Sequence, residues 1–317
     1  HDGDGYSEIP KLHGQTIGFR SFLKTTTYSK LTFEYHHMEE FRRGGDLLNR
    51  PPHEANVAEQ TEHSINGGGL KFDYFSPNEN HRFNVFASAQ HINRDSYYGP
   101  GDRDPLDAYG NTTDLNWMAG SQYVYSFGKC IFMPSDLTAG IEFNQDKLED
   151  NMWGYNRTVD QKVNIGSAFF QNEWKNEHWG FLIGGRLDKH NLIDHVIFSP
   201  RANLRYNPTE NINLRFSYSS GFRAPQAFDE DLHVENVGGN VAMVELADNL
   251  KEERSQSLSA SADIYHRFGA FQVNFLVEGF YTKLSDVFAL TDGEIVDGIL
   301  TRTRYNAPGA RVMGLTL

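Results

Sequence analysis

The first residues of the chain carry oxygen atoms of the kind that bind a hard metal ion. In the stretch "DGDGYSE", the carboxylates of Asp2, Asp4 and Glu8 lie around two glycines. Carboxylates around a tight glycine turn are typical of calcium loops, although this spacing does not fit the EF-hand template. These residues are therefore a candidate calcium site, with a plain acidic, glycine-rich loop as the alternative. We expect no other cofactor.

Motifs for catalysis are absent from the sequence. It lacks the HExxH, GxSxG, GxGxxG and P-loop spacings. The single cysteine, Cys130, excludes an internal disulfide and any CxxC site. His36 and His37 are neighbours in a segment with strand periodicity, so they point to opposite faces and do not share one metal ion. The sequence predicts that the protein is not an enzyme.

Charged side chains recur at alternate positions of segments that otherwise resemble strands. In "NINLRFSYSS", the apolar residues Leu214, Phe216 and Tyr218 alternate with polar ones. If the apolar face meets lipid, an arginine on that face would cost about 2–4 kcal/mol at the bilayer midplane, so the polar face must look onto water. By this parity, the residues predicted to face a water-filled lumen are Arg201, Asn203, Arg205, Arg215 and Asp263.

Period-2 segments fill the chain and predict about 13 strands, without long helical periodicity. Around residues 165–174 apolar residues fall on both faces, and the glycines at 67–69 indicate a kink or a close strand approach. The fold class expected is all-β. The predicted strands lie near residues 15–25, 29–41, 57–75, 82–95, 114–127, 136–147, 161–175, 179–189, 197–207, 212–220, 251–267, 271–290 and 300–317.

Short and long connections alternate between these strands. In an up-and-down sheet alternate connections share one end, so all short turns fall on one rim and all long loops on the other, as in outer-membrane barrels. A sandwich with Greek-key crossovers has no reason to keep this alternation. The expected architecture is an antiparallel up-and-down transmembrane β-barrel. Its long connections are predicted near residues 42–56, 96–113, 148–160, 190–196, 221–250 and 291–299.

Composition is compatible with this architecture and excludes one class of partner. The net charge of −13 argues against nucleic acid, which requires a basic surface. No stretch reaches 18 apolar residues and the mean hydropathy is −0.57, which together exclude a membrane-spanning helix. Barrel strands are compatible with these values, because they expose only every second residue to lipid. Aromatic residues at 13% suit the girdles at both membrane interfaces, but they would also suit a soluble β-sandwich.

Several motifs in one region resemble a known family. They are "SPRANLRYNPTENINLRFSYSSGFRAPQAFDEDL", then "VGG" and "NLKEERSQSLS", and finally "NAPGARVMGLTL". In this order they resemble the barrel of TonB-dependent outer-membrane receptors. The resemblance implies a bacterial outer-membrane protein with a barrel of about 22 strands around an N-terminal plug. Residues 1–317 would then form one partial barrel domain, with about 13 of those strands and without the plug.

The resemblance also implies a function and partners. Receptors of this family take up ferric siderophores, cobalamin or haem, and the TonB-ExbB-ExbD complex energises them through a segment that this chain lacks. The other partner implied is outer-membrane lipid. Two alternatives stay open: a passive outer-membrane barrel such as a porin or adhesin, and a soluble all-β glycan-binding protein.

Candidate ligand contacts follow from the position of residues near the long loops. Phe222 and Arg223 stand where a strand leaves the membrane and the longest loop begins, although both could simply hold the base of that loop. Haem receptors in the family carry an axial histidine in the interval occupied here by His233. Further candidates are the loop aromatics Tyr97, Tyr98, Trp153 and Tyr155.

Overall fold

The protein is described by a computed structural model, which covers residues 5, 7–100, 105–232, 235–237, 240–296 and 299–317. Within these ranges, 16 strands form a single sheet. No helix in the described part of the chain is long and apolar enough to cross a membrane. The long strands are β1 (Ser7–Thr26), β2 (Ser29–Gly45), β3 (Val57–Phe75), β4 (His81–Pro100), β5 (Tyr109–Cys130), β6 (Met133–Met152), β7 (Arg157–Lys175), β8 (Trp179–His190), β9 (Ile197–Thr209), β10 (Ile212–Arg223), β13 (Glu253–Phe268), β14 (Phe271–Leu290) and β16 (Ile299–Thr316).

The remaining elements are short and lie at the rim formed by the long connections. They are strands β11 (Glu235–Val237), β12 (Asn240–Leu246) and β15 (Glu294–Val296), the helix α1 (Asp229–Leu232), and single 3-10 turns at Pro52–Glu54, Pro105–Ala108 and Trp153–Tyr155. The sequence predicted each long strand and none of these short ones.

The long strands follow one another in sheet order, each antiparallel to its neighbours. This confirms the predicted all-β, up-and-down architecture. The sheet is open, because β1 lies at one end and β16, β12 and β11 at the other. One pairing departs from the prediction: β12 runs parallel to β16, with Val241 opposite Ile299 and Leu246 opposite Arg304.

Two connections that the sequence predicted to be long are mostly strand, which corrects the boundaries near 96–113 and 148–160. Strand β4 continues to Pro100 and pairs with β5 up to the Tyr97 and Tyr109 positions. Strands β6 and β7 pair up to Met152 and Arg157. The ladder therefore extends beyond the length that crosses a bilayer, which is about 9–11 residues.

Strand register shows which side chains share a face. Arg215 pairs with Arg205 on one side and Ser261 on the other, whereas Phe216 pairs with Leu204 and Ala260. The arginine-bearing face is named the polar face and the opposite one the apolar face. The predicted lumen residues, which are Arg201, Asn203, Arg205, Arg215 and Asp263, all share the polar face. That this face lines the lumen stays a prediction.

Glycines explain the aromatic residues that disturb the alternation in β7. Phe169 is on the polar face, where its ring lies over Gly140 of β6; a Cβ added at Gly140 would be 2.3 Å from the ring. Phe170 points to the opposite, apolar face. In the same way, the His36 ring lies over Gly67, and the ladder between β2 and β3 continues without interruption. The glycines thus permit close approach and do not kink the strand.

Candidate ligand-binding rim

The segment that follows β10 runs across the polar face at the rim of the long loops. Residues 224–246 are named the crossing segment. Its Ala227 forms two hydrogen bonds with Gln161 of β7: the Gln161 amide donates to the Ala227 carbonyl at 3.2 Å, and the Ala227 N–H donates to Gln161 Oε1 at 2.7 Å. Its strand β12 pairs with β16. Because β7 and β16 flank β10 on opposite sides in sheet order, the segment bridges two distant parts of the sheet.

Asp231 is the electrostatic anchor of the crossing segment. Arg304 of β16 forms a bidentate pair with its carboxylate, with N···O distances of 2.8 and 2.7 Å. Arg157 of β7 donates to the Asp231 carbonyl oxygen. The Asp231 and Arg304 side chains are 2% and 7% exposed, so little water competes for this pair. Bidentate pairs of this kind are among the stronger polar contacts in proteins.

A second buried polar group lies at the outer ends of β4, β5 and β6. Arg94 Nε donates to Thr112 Oγ1 at 3.1 Å, and the Thr112 hydroxyl donates to Asp150 Oδ1 at 2.5 Å. Arg94 and Asp150 also form an ion pair at 3.6 Å. Burial lowers the pKa of the nearby Arg157, and the carboxylates of Asp150 and Asp231 oppose that shift. Strand parity places these residues on the polar face, but no sequence motif marks them as a group.

Phe222 and Arg223 hold the base of the crossing segment. The Arg223 guanidinium lies 3.9 Å from the centroid of the Phe228 ring and 5.5 Å from that of Phe288, which is cation-π geometry. Phe222 packs against an apolar cluster that includes Ile193 and other residues at this rim. Both side chains thus contact protein groups, and any contact with a ligand stays a prediction.

The loop aromatics divide into buried and exposed residues. Tyr98 and Tyr155 are buried in a cluster with Met243 of the crossing segment, and the Tyr155 hydroxyl donates to the Tyr98 carbonyl. Tyr97 is buried in a separate cluster, and burial raises its pKa to about 12. Trp153 is 61% exposed. A ligand would reach Trp153 directly, whereas contact with the three tyrosines would require the clusters to open.

Other predicted site residues fall outside the described part of the chain. Asp2, Asp4 and His233 lie there, and Glu8 is part of β1 but its side chain is not described. Among the described residues, no group of three or more histidine, cysteine or acidic side chains could hold a metal ion. The calcium site and the axial histidine therefore stay predictions.

An open antiparallel sheet of long strands, with short turns on one rim and folded loops on the other, defines the class of outer-membrane β-barrels. The family model described as "TonB dependent receptor-like, beta-barrel" matches residues 8–317. The chain belongs to the TonB-dependent receptor family, whose barrels are outer-membrane transporters and not enzymes. A search of curated protein sequences finds no match.

Solved structures with the same fold include three receptors at low sequence identity. The siderophore receptor PirA from Pseudomonas aeruginosa is 13% identical with a TM-score of 0.76, over 96% of this chain and 52% of that one. The hemophore receptor HasR of Serratia marcescens, a double mutant in complex with its hemophore HasA and heme, is 14% identical with a TM-score of 0.69, over 96% and 51%. The alcaligin receptor FauA from Bordetella pertussis is 13% identical with a TM-score of 0.63, over 96% and 49%. The chain thus spans about half the length of these receptors.

Proposed function

We propose that the chain forms part of the barrel of a receptor that takes up a ferric siderophore, cobalamin or haem across the outer membrane. Family membership supports the transport class. The siderophore and heme named for the similar receptors support a metal chelate or a cofactor of similar size as cargo. Energy would come from the TonB-ExbB-ExbD complex through parts of the receptor that lie outside residues 1–317.

The observation that carries the proposal is the crossing segment. It is held on one side by Gln161 and Arg157 of β7 and on the other by Arg304 of β16. A loop fixed at both sides of the polar face covers part of the route along that face. A ligand that arrives from the rim of long loops would therefore meet this segment and the exposed Trp153 first.

Deletion of the crossing segment tests the proposal. In the full-length receptor, residues 228–246 are replaced by a short Gly-Ser linker, and binding and uptake of radiolabelled ferric siderophores, cobalamin and haem are measured. We expect weaker binding of the true cargo, while the barrel still shows heat-modifiable mobility on gels. Replacing Asn78 and Glu79 in a turn of the opposite rim is the matched control and should leave binding intact. Unchanged uptake of every ligand after the deletion would remove the segment from the mechanism.

Two further measurements test whether the cargo is haem and whether uptake requires an energised membrane. If haem is the cargo, His233→Ala should reproduce much of the loss seen on deletion, whereas for a siderophore or cobalamin it should have little effect. Uptake should also stop when a protonophore dissipates the membrane potential of the cell. Uptake that continues without the potential would instead identify a passive barrel.

A further inference from the structure

Four charged residues on the apolar face of β6 and β7 have an unusual arrangement. Lys147 is directly opposite Lys162 in the ladder, and two positions further along Glu149 is directly opposite Asp160. Like charges directly opposite each other across an antiparallel pair are destabilising. An alternating arrangement, with each lysine facing a carboxylate across the ladder, would avoid this cost with the same four residues. The charges are instead sorted into a basic row and an acidic row.

The basic row is nearer to the apolar band. On the apolar face of β6, the residues before Lys147 are Phe143 and Gln145. Trp117 of β5 packs against Phe143 with ring centroids 5.2 Å apart, and its Nε1–H donates to Gln145 at 3.2 Å. A tryptophan with an apolar partner on one side and a polar partner on the other is typical of a membrane interface. The two lysines therefore lie just outside the interface and the two carboxylates further out.

This position corresponds to the headgroup layer. At about 3.4 Å per residue and a strand tilt of about 40°, Lys147 is roughly 10 Å from Phe143 along the membrane normal. Lysine side chains extend along apolar surface toward the interface while their ammonium groups stay in water. Leu115, which is opposite Lys147 in the ladder and 41% exposed, provides such a surface. The strand positions of Lys147 and Lys162 are thus at the level of lipid phosphates.

The two lysines differ in their protein partners. Lys147 Nζ lies 2.5 Å from Glu149 Oε1, and both side chains are about half exposed. Lys162 is exposed and has no ion pair among the residues that the structure describes. Surface ion pairs of the first kind are weak. Lys162 is therefore available to bind an anion. Lys147 could also bind one, because breaking its weak ion pair with Glu149 costs little.

We propose that Lys147 and Lys162 bind the phosphate of an anionic lipid headgroup in the outer leaflet. A phosphate bound by both lysines would offset the cost of placing two like charges opposite each other in the ladder. Glu149 and Asp160 lie on the side of the two lysines that is away from the bilayer. The four residues therefore present their positive charges toward the membrane. The site is on the outside of the barrel and is separate from cargo uptake.

Native mass spectrometry of the full-length receptor tests this site. The purified protein is titrated in detergent with phosphatidylglycerol or with phosphatidylcholine of the same acyl chains. The Lys147→Gln, Lys162→Gln double variant should lose phosphatidylglycerol affinity by roughly 10- to 30-fold, because each lysine at an anionic surface contributes about 1 kcal/mol. Lys71→Gln is the matched control, since Lys71 is on the polar face and is paired with Asp73 at 2.8 Å.

A variant in which the basic and acidic rows are exchanged tests whether lipid binding depends on the positions of the four charges or only on their sum. It carries Lys147→Glu, Glu149→Lys, Lys162→Asp and Asp160→Lys, so its composition and net charge are unchanged. We expect it to stay heat-modifiable on gels and to lose selectivity for phosphatidylglycerol. Retained selectivity in this variant or in the double glutamine variant would overturn the proposal. Binding of inorganic phosphate by the unmodified receptor as tightly as phosphatidylglycerol would also overturn it, because the site would then be one for a free ion.

Discussion

Individual charged residues of the polar face occupy two different environments. Arg201 and Arg215 are exposed on the sheet, whereas Asp231 and Arg304 are almost fully buried under the crossing segment. Sequence parity assigns a residue to a face, but it does not show whether a loop covers that residue. If the polar face lines the lumen, the exposed arginines belong to the wetted surface of the barrel wall. The buried pair of Asp231 and Arg304 attaches the crossing segment to β16.

Removal of Arg304 should release the crossing segment. The Arg304→Gln substitution leaves the buried Asp231 carboxylate without its bidentate partner, and breaking a buried pair costs about 3–5 kcal/mol. We expect this cost to appear as local opening, with faster hydrogen exchange and faster proteolysis within residues 229–246. Arg302→Gln, on the same strand, should leave both rates unchanged. Equal protection in the Arg304 variant would show that the ion pair does not hold the segment.

His190 should make the base of the crossing segment sensitive to acid. The His190 side chain is fully buried, its Nδ1 accepts from the Leu192 N–H at 3.0 Å, and its Nε2 is 3.3 Å from Gln226 Oε1. This hydrogen-bond pattern requires a neutral ring. Burial lowers the pKa of His190 below its ordinary value, and the positive charge of Lys189 adds to this shift. The hydrogen bond with Gln226 opposes the shift but does not cancel it.

The direction of the pH effect follows from linkage. Because the pKa is lower in the folded state, an opened state binds more protons at acid pH. The stabilising contact is complete above the ordinary histidine pKa of about 6.5 and is lost as the pH falls below it. We expect hydrogen exchange at the Leu192 amide and at the amides of Ala224, Gln226, Ala227 and Phe228, corrected for intrinsic rates, to accelerate between pH 7.5 and 5. The His190→Gln variant should lack this acceleration; if it shows the same profile, another group is responsible.

At the scale of strands, the two faces should differ in their access to water. Cysteines at Leu204, Leu214 or Phe216 in the full-length receptor should resist a water-soluble maleimide in intact membranes, because lipid covers these positions. Cysteines at Asn203 or Ser217 should be labelled once the lumen is accessible. Equal labelling of both sets would show that the assignment of faces is wrong.

The close contact between β6 and β7 at Phe169 depends on the glycine at position 140, which has no side chain. A Cβ at Gly140 would be 2.3 Å from the Phe169 ring and 2.6 Å from the Ser121 carbonyl oxygen. We therefore expect Gly140→Val to lower the temperature at which the barrel loses its heat-modifiable form. Gly166→Val is the matched control on β7, because a Cβ there meets no atom within 4 Å. A similar loss in both variants would mean that the Phe169 contact is not responsible.

Local periodicity explains which elements the sequence could predict. Each long strand shows its own alternation, so β10 and β13 are evident without knowledge of their partners. Strand β12 is different, because it is a strand only through its pairing with β16, more than fifty residues away in the sequence. The burial of Tyr98 depends likewise on Met243 of the crossing segment. The strands and their faces were predictable, whereas the covered rim depends on long-range contacts.

The whole sheet has two ends that differ in how they are covered. Strand β1 pairs with β2, and no described strand lies on its other side. At the opposite end, β12 covers the part of β16 between Ile299 and Arg304 and leaves the part that pairs with β14 uncovered on its outer side. Uncovered edges of long strands present unpaired N–H and C=O groups, which are templates for association.

Residues 1–317 produced alone should therefore associate through these edges. We expect the chain refolded in detergent to sediment as a mixture of oligomers, whereas the full-length receptor sediments as a single species at the same protein and detergent concentrations. Infrared spectra of the oligomers should keep the high β content of this sheet, since association adds strand pairs and does not unfold the existing ones. A chain that is monomeric at high concentration would have to cover both edges within itself, by pairing β1 with β16. That result would replace the open sheet with a small closed barrel of these strands alone.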